Sequence, residues 1–371
     1  MGKMPMPRNA LGLSPRLCYL LPSSIFRSTD GGMLFKNVCI EAFGYELPPN
    51  VISSAEIEAR LKPLYDRLKL PEGRLELASG IKERRIWDAG TRPSEVSARA
   101  GRKALENSGV DPSQIECLLH TSVSRDFMEP ASASFVHRTL GLSPDANIYD
   151  ISNACLGFLN GMMTLAGMIE LGQVQRGLIV AGESSRELLE STIESLLNNK
   201  QATRDSIKDA FASLTIGSGA CALVMAHENV SKFKHRFLGG AIRCATEWSD
   251  LCRGNNSGMC TDSEKLLHEG CRLARSTWDK AKKLLNWQNE NVDRTFCHQV
   301  GSAHRRLLFN SLELDLQKDF STFETLGNTG AVALPITMAM GTEKSPPPPG
   351  SKLALLGIGS GLNCLMLGVK W

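Results

Sequence analysis

The chain has 371 residues, 42% of them hydrophobic and 22% charged, with a formal net charge of +3. That length suits one large domain or two medium ones, and the near-neutral balance leaves no footprint for a polyanion, which argues against nucleic acid as a partner. No run of about 18 apolar residues is free of charge, so no membrane span is expected, and eleven cysteines without a secreted spacing pattern read as reduced thiols in a cytoplasmic protein.

Residues 1–32 carry Lys3, Arg8, Arg16 and Arg27 among Ser and Pro, with no acid before Asp30. A disordered extension or an upstream start codon is the favoured reading, and a transit peptide the lesser one, because no amphipathic period runs through the stretch. Residues 33–38 open like a first strand. A helix is expected over 94–108, stopped by Gly109, followed by a strand over 115–120. An all-apolar helix over 155–171 and a strand over 178–181 complete this half.

The pattern then repeats. Leu267, Cys271, Ala274, Trp278, Ala281 and Leu285 recur at spacings of four and three, the stripe of an amphipathic helix. A strand over 292–297, a loop holding His298, an apolar helix over 331–340 and a strand over 353–357 follow. The halves are set at 33–210 and 211–371. Pro335 is expected to bend its helix, and residues 346–349 to form a stiff surface loop.

Neither apolar helix has a face for water, so each must be covered on every side. Two sheets with helices between and outside them meet that demand, giving an α/β sandwich of five layers, αβαβα, from two duplicated halves. In such a frame Cys155 and Asn328 start equivalent central helices, and His298 ends a strand equivalent to the one ending at His120. Three reactive groups far apart in sequence thus converge.

The chemistry this suggests is acyl transfer through a thioester. A thiol at a helix N-terminus meets unpaired N–H groups and the positive end of the helix dipole, which favour thiolate. His298 and the Asn328 amide can donate to an enolate oxygen. The run from Gly357 to Asn363 reads as a tight glycine-rich turn, with Ser360 and Gly361 close to substrate; its N–H groups and that of Cys155 would bind a tetrahedral oxyanion. His120, His137 and His304 read as structural, and Cys297 as a core thiol. Cys244, Cys252 and Cys260 recur every eight residues, too far apart for a zinc pair, so no metal is expected.

The motifs Asn153-Ala154-Cys155-Leu156-Gly157-Phe158, His298-Gln299-Val300 and Gly327-Asn328-Thr329-Gly330 resemble the thiolase superfamily, in its β-ketoacyl-acyl carrier protein synthase III branch. The likeness runs from Met33 to Trp371. Segments 121–130, 245–248, 251–255 and 357–364 are most similar to the acyl-CoA condensing enzymes of long-chain olefin biosynthesis. This resemblance implies a five-layered thiolase-like fold and an acyltransferase that joins two long-chain fatty acyl-CoA molecules by a non-decarboxylative Claisen condensation. Cys155 would carry the acyl group, the product would be released as a β-keto acid, and no cofactor would be used beyond the coenzyme A thioesters. It also implies a homodimer in which Glu129 enters the partner's site and assists proton transfer, its pKa raised by the apolar acyl chains around it.

Two departures stand out. Gly301 replaces the Ser or Ala that often follows the histidine motif, and the region from Arg74 to Trp87 lacks the expected tryptophan that stacks on the carrier adenine. The enzymatic alternative is a decarboxylating synthase III acting on malonyl-acyl carrier protein, which has no use for a carboxylate base. A non-catalytic scaffold subunit is the alternative of another class, although Cys155, His298 and Asn328 are all retained.

Overall fold

The computed structural model describes residues 32–255 and 258–371. The expected N-terminal extension therefore lies outside the described residues, except for Gly32, which opens a strand. In chain order the strands are β1 (Gly32–Leu34), β2 (Val38–Glu46), β3 (Asn50–Ser53), β4 (Glu83–Ile86), β5 (Cys117–His120), β6 (Asn147–Asp150) and β7 (Arg176–Glu183). They continue as β8 (Gly219–His227), β9 (His235–Cys244), β10 (Cys252–Asn255), β11 (Gly258–Thr261), β12 (Arg294–Cys297), β13 (Lys352–Gly359) and β14 (Asn363–Lys370).

Ten of these form one sheet in the order β12-β13-β14-β9-β2-β8-β7-β5-β6, with β1 added to β9. The path β5-β7-β8-β2 and the path β12-β13-β14-β9 have the same connectivity and the same directions, a parallel pair followed by two antiparallel joins. The duplication expected from sequence is thus present in the backbone. β2 and β9, one from each half, pair through Cys39↔Arg236 and Ile40↔His235, and β1 adds a second link to β9. β8, which lies beyond the expected boundary at 210, pairs with β2 and β7 of the first half.

Alternation along the strands explains the layers. Leu119, Ile179 and Ala181 point inward to a core shared with the helices Gly157–Glu170 and Ala333–Lys344, and Leu353, Leu355, Leu365 and Leu367 reach the same core from the second half. Successive residues point to opposite faces of a strand. Leu118, Leu178 and Val180 accordingly face outward, against Ala104 and Leu105 of the Pro93–Ser108 helix and Val136 of the Ser132–Leu140 helix. Ala354, Leu356 and Met366 meet the Ser263–Leu285 and Ser302–Leu312 helices through Ala274, Trp278 and Leu308. Helices, sheet, helices, sheet and helices make five layers. No helix among the described residues is long and apolar enough to cross a membrane.

Three local expectations are corrected. Residues 33–38 do not form one strand: β1 leaves the first half to pair with β9, and the buried Glu170 carboxylate accepts the Lys36 and Asn37 N–H groups at 3.0 and 2.8 Å where the chain passes from β1 to β2. Pro335 is the third residue of its helix, where an N–H would lack an intrahelical partner anyway, so it requires no bend. The run from Gly357 is not all turn: β13 continues through Gly359, only residues 360–362 turn, and β14 returns with Gly359 opposite Asn363.

Glycine decides how closely the central layer packs. A Cβ on Gly157 would lie 2.3 Å from the carbonyl oxygen of Thr121, a backbone atom that cannot swing away. The start of the helix behind Cys155 therefore rests directly on the chain leaving β5. Gly157→Ala should cost about 2–3 kcal/mol, read as a lower urea midpoint at unchanged slope.

Candidate active site

Cys155 sits in a turn between β6 and the Gly157–Glu170 helix, two residues before the helix begins. The Leu156 N–H donates to Asn153 O at 2.9 Å and the Gly157 N–H to Ala154 O at 3.2 Å. Ala154 is left-handed, with φ of 46°, a conformation that costs a residue with a Cβ about 1–2 kcal/mol. Asn153 Nδ2 donates to Asn160 Oδ1 at 2.9 Å, fastening the turn to the helix it precedes.

The second half closes on this turn through glycines. Cβ atoms on Gly357 and Gly359 would meet the Leu156 side chain at 2.8 Å in both cases. With hydrogen at both positions, β13 runs close under the nucleophile turn. The Ser360 N–H and the N–H of Cys155 itself then lie against the sulfur. Gly361, with φ of 73°, completes the turn beside Asn363.

These donors do not make a resting thiolate. Burial pushes the Cys155 thiol up to about 12, the neighbouring Glu183 carboxylate and Cys252 add to the rise, and the two N–H groups offset only part of it. The expected lowering by the helix dipole is thus overturned: desolvation of a charged sulfur outweighs donors at a helix that starts two residues further on.

His298 follows β12, its N–H bonded to Leu356 O on β13 at 3.0 Å. Burial, and then the neighbouring His304, push its imidazole down to about 3, so it is neutral at working pH. Nδ1 is enclosed without a hydrogen-bond partner, whereas Nε2 is not sealed off in this way. His304, read from sequence as merely structural, lies beside it and is lowered to about 4 by burial.

Asn328 precedes the short turn Gly330–Val332 rather than starting the helix itself. Its backbone is clamped on both sides, donating to Thr215 O at 3.1 Å and accepting from Gly217 N at 2.8 Å. Its Oδ1 accepts the Gly330 N–H at 3.1 Å, which leaves the Nδ2 hydrogens free to donate elsewhere.

The fold brings the Cys155 turn, Ser360 and the β12 end that carries His298 to one end of the parallel strands, and the Asn328 turn reaches the same place through Glu183. Among the described residues no hydrogen bond joins Cys155, His298 and Asn328 to one another. Glu129 is not brought in: it is exposed beyond β5, beside the fully exposed Met128. His120 bonds Ser122 through Nε2 at 3.2 Å, His137 bonds Ser143 O at 2.9 Å and Cys297 is buried, all in structural settings. Sequence reading missed Glu183, Cys252 and the adjacency of His304. The one available signal was Glu183 itself, an acid ending the apolar run Leu178-Ile179-Val180-Ala181.

The chain and its fold are similar to known proteins. Residues 149–240 match the family model for 3-oxoacyl-[acyl-carrier-protein] synthase III, and residues 283–371 its C-terminal model. The acyl-CoA:acyl-CoA alkyltransferases of Shewanella oneidensis and Xanthomonas campestris are each 40% identical to the chain, covering 91% of it and 100% of their own length. The chain belongs to this family of acyltransferases. A cerulenin-bound structure of X. campestris OleA aligns with a TM-score of 0.89 and 40% identity over 91% of this chain and 98% of that one. Another, a cysteine-to-serine variant of OleA holding lauric acid and lauroyl-CoA, aligns with a TM-score of 0.88 and 39% identity over 91% and 100%. The thiolase-like fold expected from sequence is the fold these relatives share.

The raised thiol has a direct consequence. Alkylation of Cys155 by iodoacetamide in the free enzyme should rise about tenfold per pH unit between pH 7 and 10 without levelling off. A plateau below pH 8 would show a stabilised thiolate instead.

Proposed function

We propose that the protein joins two fatty acyl-CoA molecules head to head by Claisen condensation through an acyl group carried on Cys155. The observation that carries this reading is the buried Cys155 sulfur held against the N–H groups of Cys155 and Ser360, in a chain 40% identical to two acyl-CoA:acyl-CoA alkyltransferases; the His298 and Asn328 side chains are assigned as the second donor set. In the first step the Cys155 sulfur attacks the thioester carbonyl. The negative oxygen rests on the two N–H groups, the carbon–sulfur bond to coenzyme A breaks, and the thiol proton leaves with the free carrier thiol. Neutral His298 and buried surroundings suit a step that begins from thiol rather than thiolate.

In the second step another acyl-CoA loses an α-proton to Glu129, and His298 and Asn328 donate to its enolate oxygen. The enolate carbon attacks the acyl carbonyl on Cys155, the sulfur leaves and is reprotonated, and a 2-alkyl-3-ketoacyl thioester forms. Water then cleaves this thioester to the β-keto acid and coenzyme A.

Glu129 acts in this scheme from a second copy of the chain. β6 is the last strand of its half, with an open edge; Tyr149 lies on it, and Val123, Phe127 and Met128 are exposed on the loop that carries Glu129. A bare strand edge beside exposed apolar side chains suits pairing with a copy of itself. OleA has been solved with substitutions of a cysteine and of a glutamate spaced as Cys155 and Glu129 are here. A separate cavity of about 270 Å³ combines apolar Leu75, Ile207, Phe211 and Leu214 with the cations Arg74, Arg204 and Lys208, a lining suited to the adenine and phosphates of coenzyme A. The ten cysteines described are all free thiols, which fits a cytoplasmic setting.

Incubation with myristoyl-CoA alone should release coenzyme A and yield a long β-keto acid or the ketone derived from it. Product only when malonyl-acyl carrier protein is supplied would favour the decarboxylating alternative, and no acyl mass on Cys155 the scaffold. Glu129→Ala should keep the first acyl transfer but lose condensation by roughly a hundredfold or more.

Charge reversal at Arg204 and Lys208 should raise KM for acyl-CoA about tenfold with little change in kcat. An unchanged KM would remove that cavity from the carrier site.

A further inference from the structure

β7 ends in a carboxylate that the reaction above does not consume. Glu183 is 5% exposed, and no Lys, Arg or His forms an ion pair with it among the described residues. Its Oε1 accepts the Val123 N–H at 2.8 Å; its Oε2 accepts the Ser124 N–H at 3.1 Å and the Ser124 hydroxyl at 2.8 Å. The Ala331 N–H also donates to it, and Gly330 lies so close that a Cβ there would be 3.4 Å from Glu183 Cδ. Cys155 feels its charge directly.

Those contacts reach three separate pieces of machinery. Val123 and Ser124 open the loop that carries Glu129. Gly330 and Ala331 follow Asn328, whose Oδ1 holds the same Gly330 N–H. Cys155 is the nucleophile. Burying a carboxylate without a cation is costly, and a group that serves only to close loop hydrogen bonds need not be charged or stand beside the reacting sulfur. The charge adds to burial in opposing ionisation of Cys155.

We propose that Glu183 is a positioning residue for carbon–carbon bond formation, its carboxylate holding both the root of the loop whose Glu129 serves the partner's site and the Asn328 turn of its own site. This rests on the condensation reading above. Glu183 exchanges no proton with substrate. It anchors the base loop that serves one site and the enolate donor of the other, so its loss strikes the second half-reaction at both sites and spares the first.

The test uses the full-length enzyme with Glu183→Gln, Glu183→Asp and Ser124→Ala. Glutamine keeps the shape but turns a donor toward groups that also donate. It should leave acyl transfer to Cys155, read by mass and released coenzyme A, within roughly threefold, and lower β-keto acid formation by about a hundredfold. It should also speed iodoacetamide alkylation of Cys155 about tenfold at pH 8, because the nearby charge is gone. Aspartate, which keeps the charge, should restore slow alkylation and part of the condensation. Ser124→Ala removes one donor only: condensation should fall several-fold with alkylation unchanged. If Glu183→Gln fails to fold, the aspartate and Ser124 variants still decide. Acyl transfer and condensation declining in equal proportion, or condensation unaffected in all variants, would overturn the proposal. Wild-type enzyme giving no β-keto acid from myristoyl-CoA would instead sink the condensation reading, and the alkylation contrast would still show whether the Glu183 charge bears on Cys155.

Discussion

Two helices without a polar face impose most of this architecture. Phe158, Leu159, Met162 and Leu165 on one, and Leu334, Ile336 and Met338 on the other, leave no direction in which water is welcome. A single sheet would leave half of that surface exposed. Two sheet faces must close on it, and the duplicated halves supply one each. The catalytic groups lie at the ends of the strands and helices enclosed in this way. They are therefore placed by the same close packing that makes the core, and glycines at 157, 357 and 359 set how near the backbones come.

Burial on that scale sets the electrostatics as well. Thiol, imidazoles and carboxylate are each driven toward their neutral forms: Cys155 upward, His298 and His304 downward, Glu183 upward. A site with so few free charges suits long acyl chains. Apart from the Glu183 carboxylate, charge arises there during reaction, when an oxyanion or enolate meets donors that are already in position. Preorganised N–H groups of Cys155 and Ser360 act on such a transient charge more strongly than they would in water, because the surroundings do not screen it.

The half-reactions make different demands, and the structure separates them. In the proposed reaction acyl transfer needs only Cys155 and its two N–H groups, all within one chain, and carbon–carbon bond formation adds His298, Asn328 and a base. Glu129 is exposed beyond β5, and in the proposed reaction the second step draws on it from a neighbouring copy. Glu183 stands where these parts meet, bonded at once to the start of that loop and to the turn after Asn328.

Much of this was legible from residue order, for identifiable reasons. Periodicity and all-apolar runs reveal which helices are amphipathic and which are enclosed, and repetition of the pattern reveals two halves. Cys155, His298 and Asn328 stood out because their residue types and positions within the repeat suit one chemistry. Pro335 and residues 33–38 were misjudged because local rules do not say which turn of a helix a residue occupies, or which sheet a strand will join. The thiolate expectation failed for a deeper reason: the dipole at a helix end is a local property, whereas desolvation sums over everything packed around the sulfur. Glu183 went unnoticed because nothing in a linear pattern shows where a carboxylate points. The order of residues by itself determined the layers and the duplication and singled out the candidate reactive groups. Only the tertiary structure decided their protonation, the approach of Ser360 to the sulfur and the role left to Glu183, since these depend on distances between segments far apart in the chain.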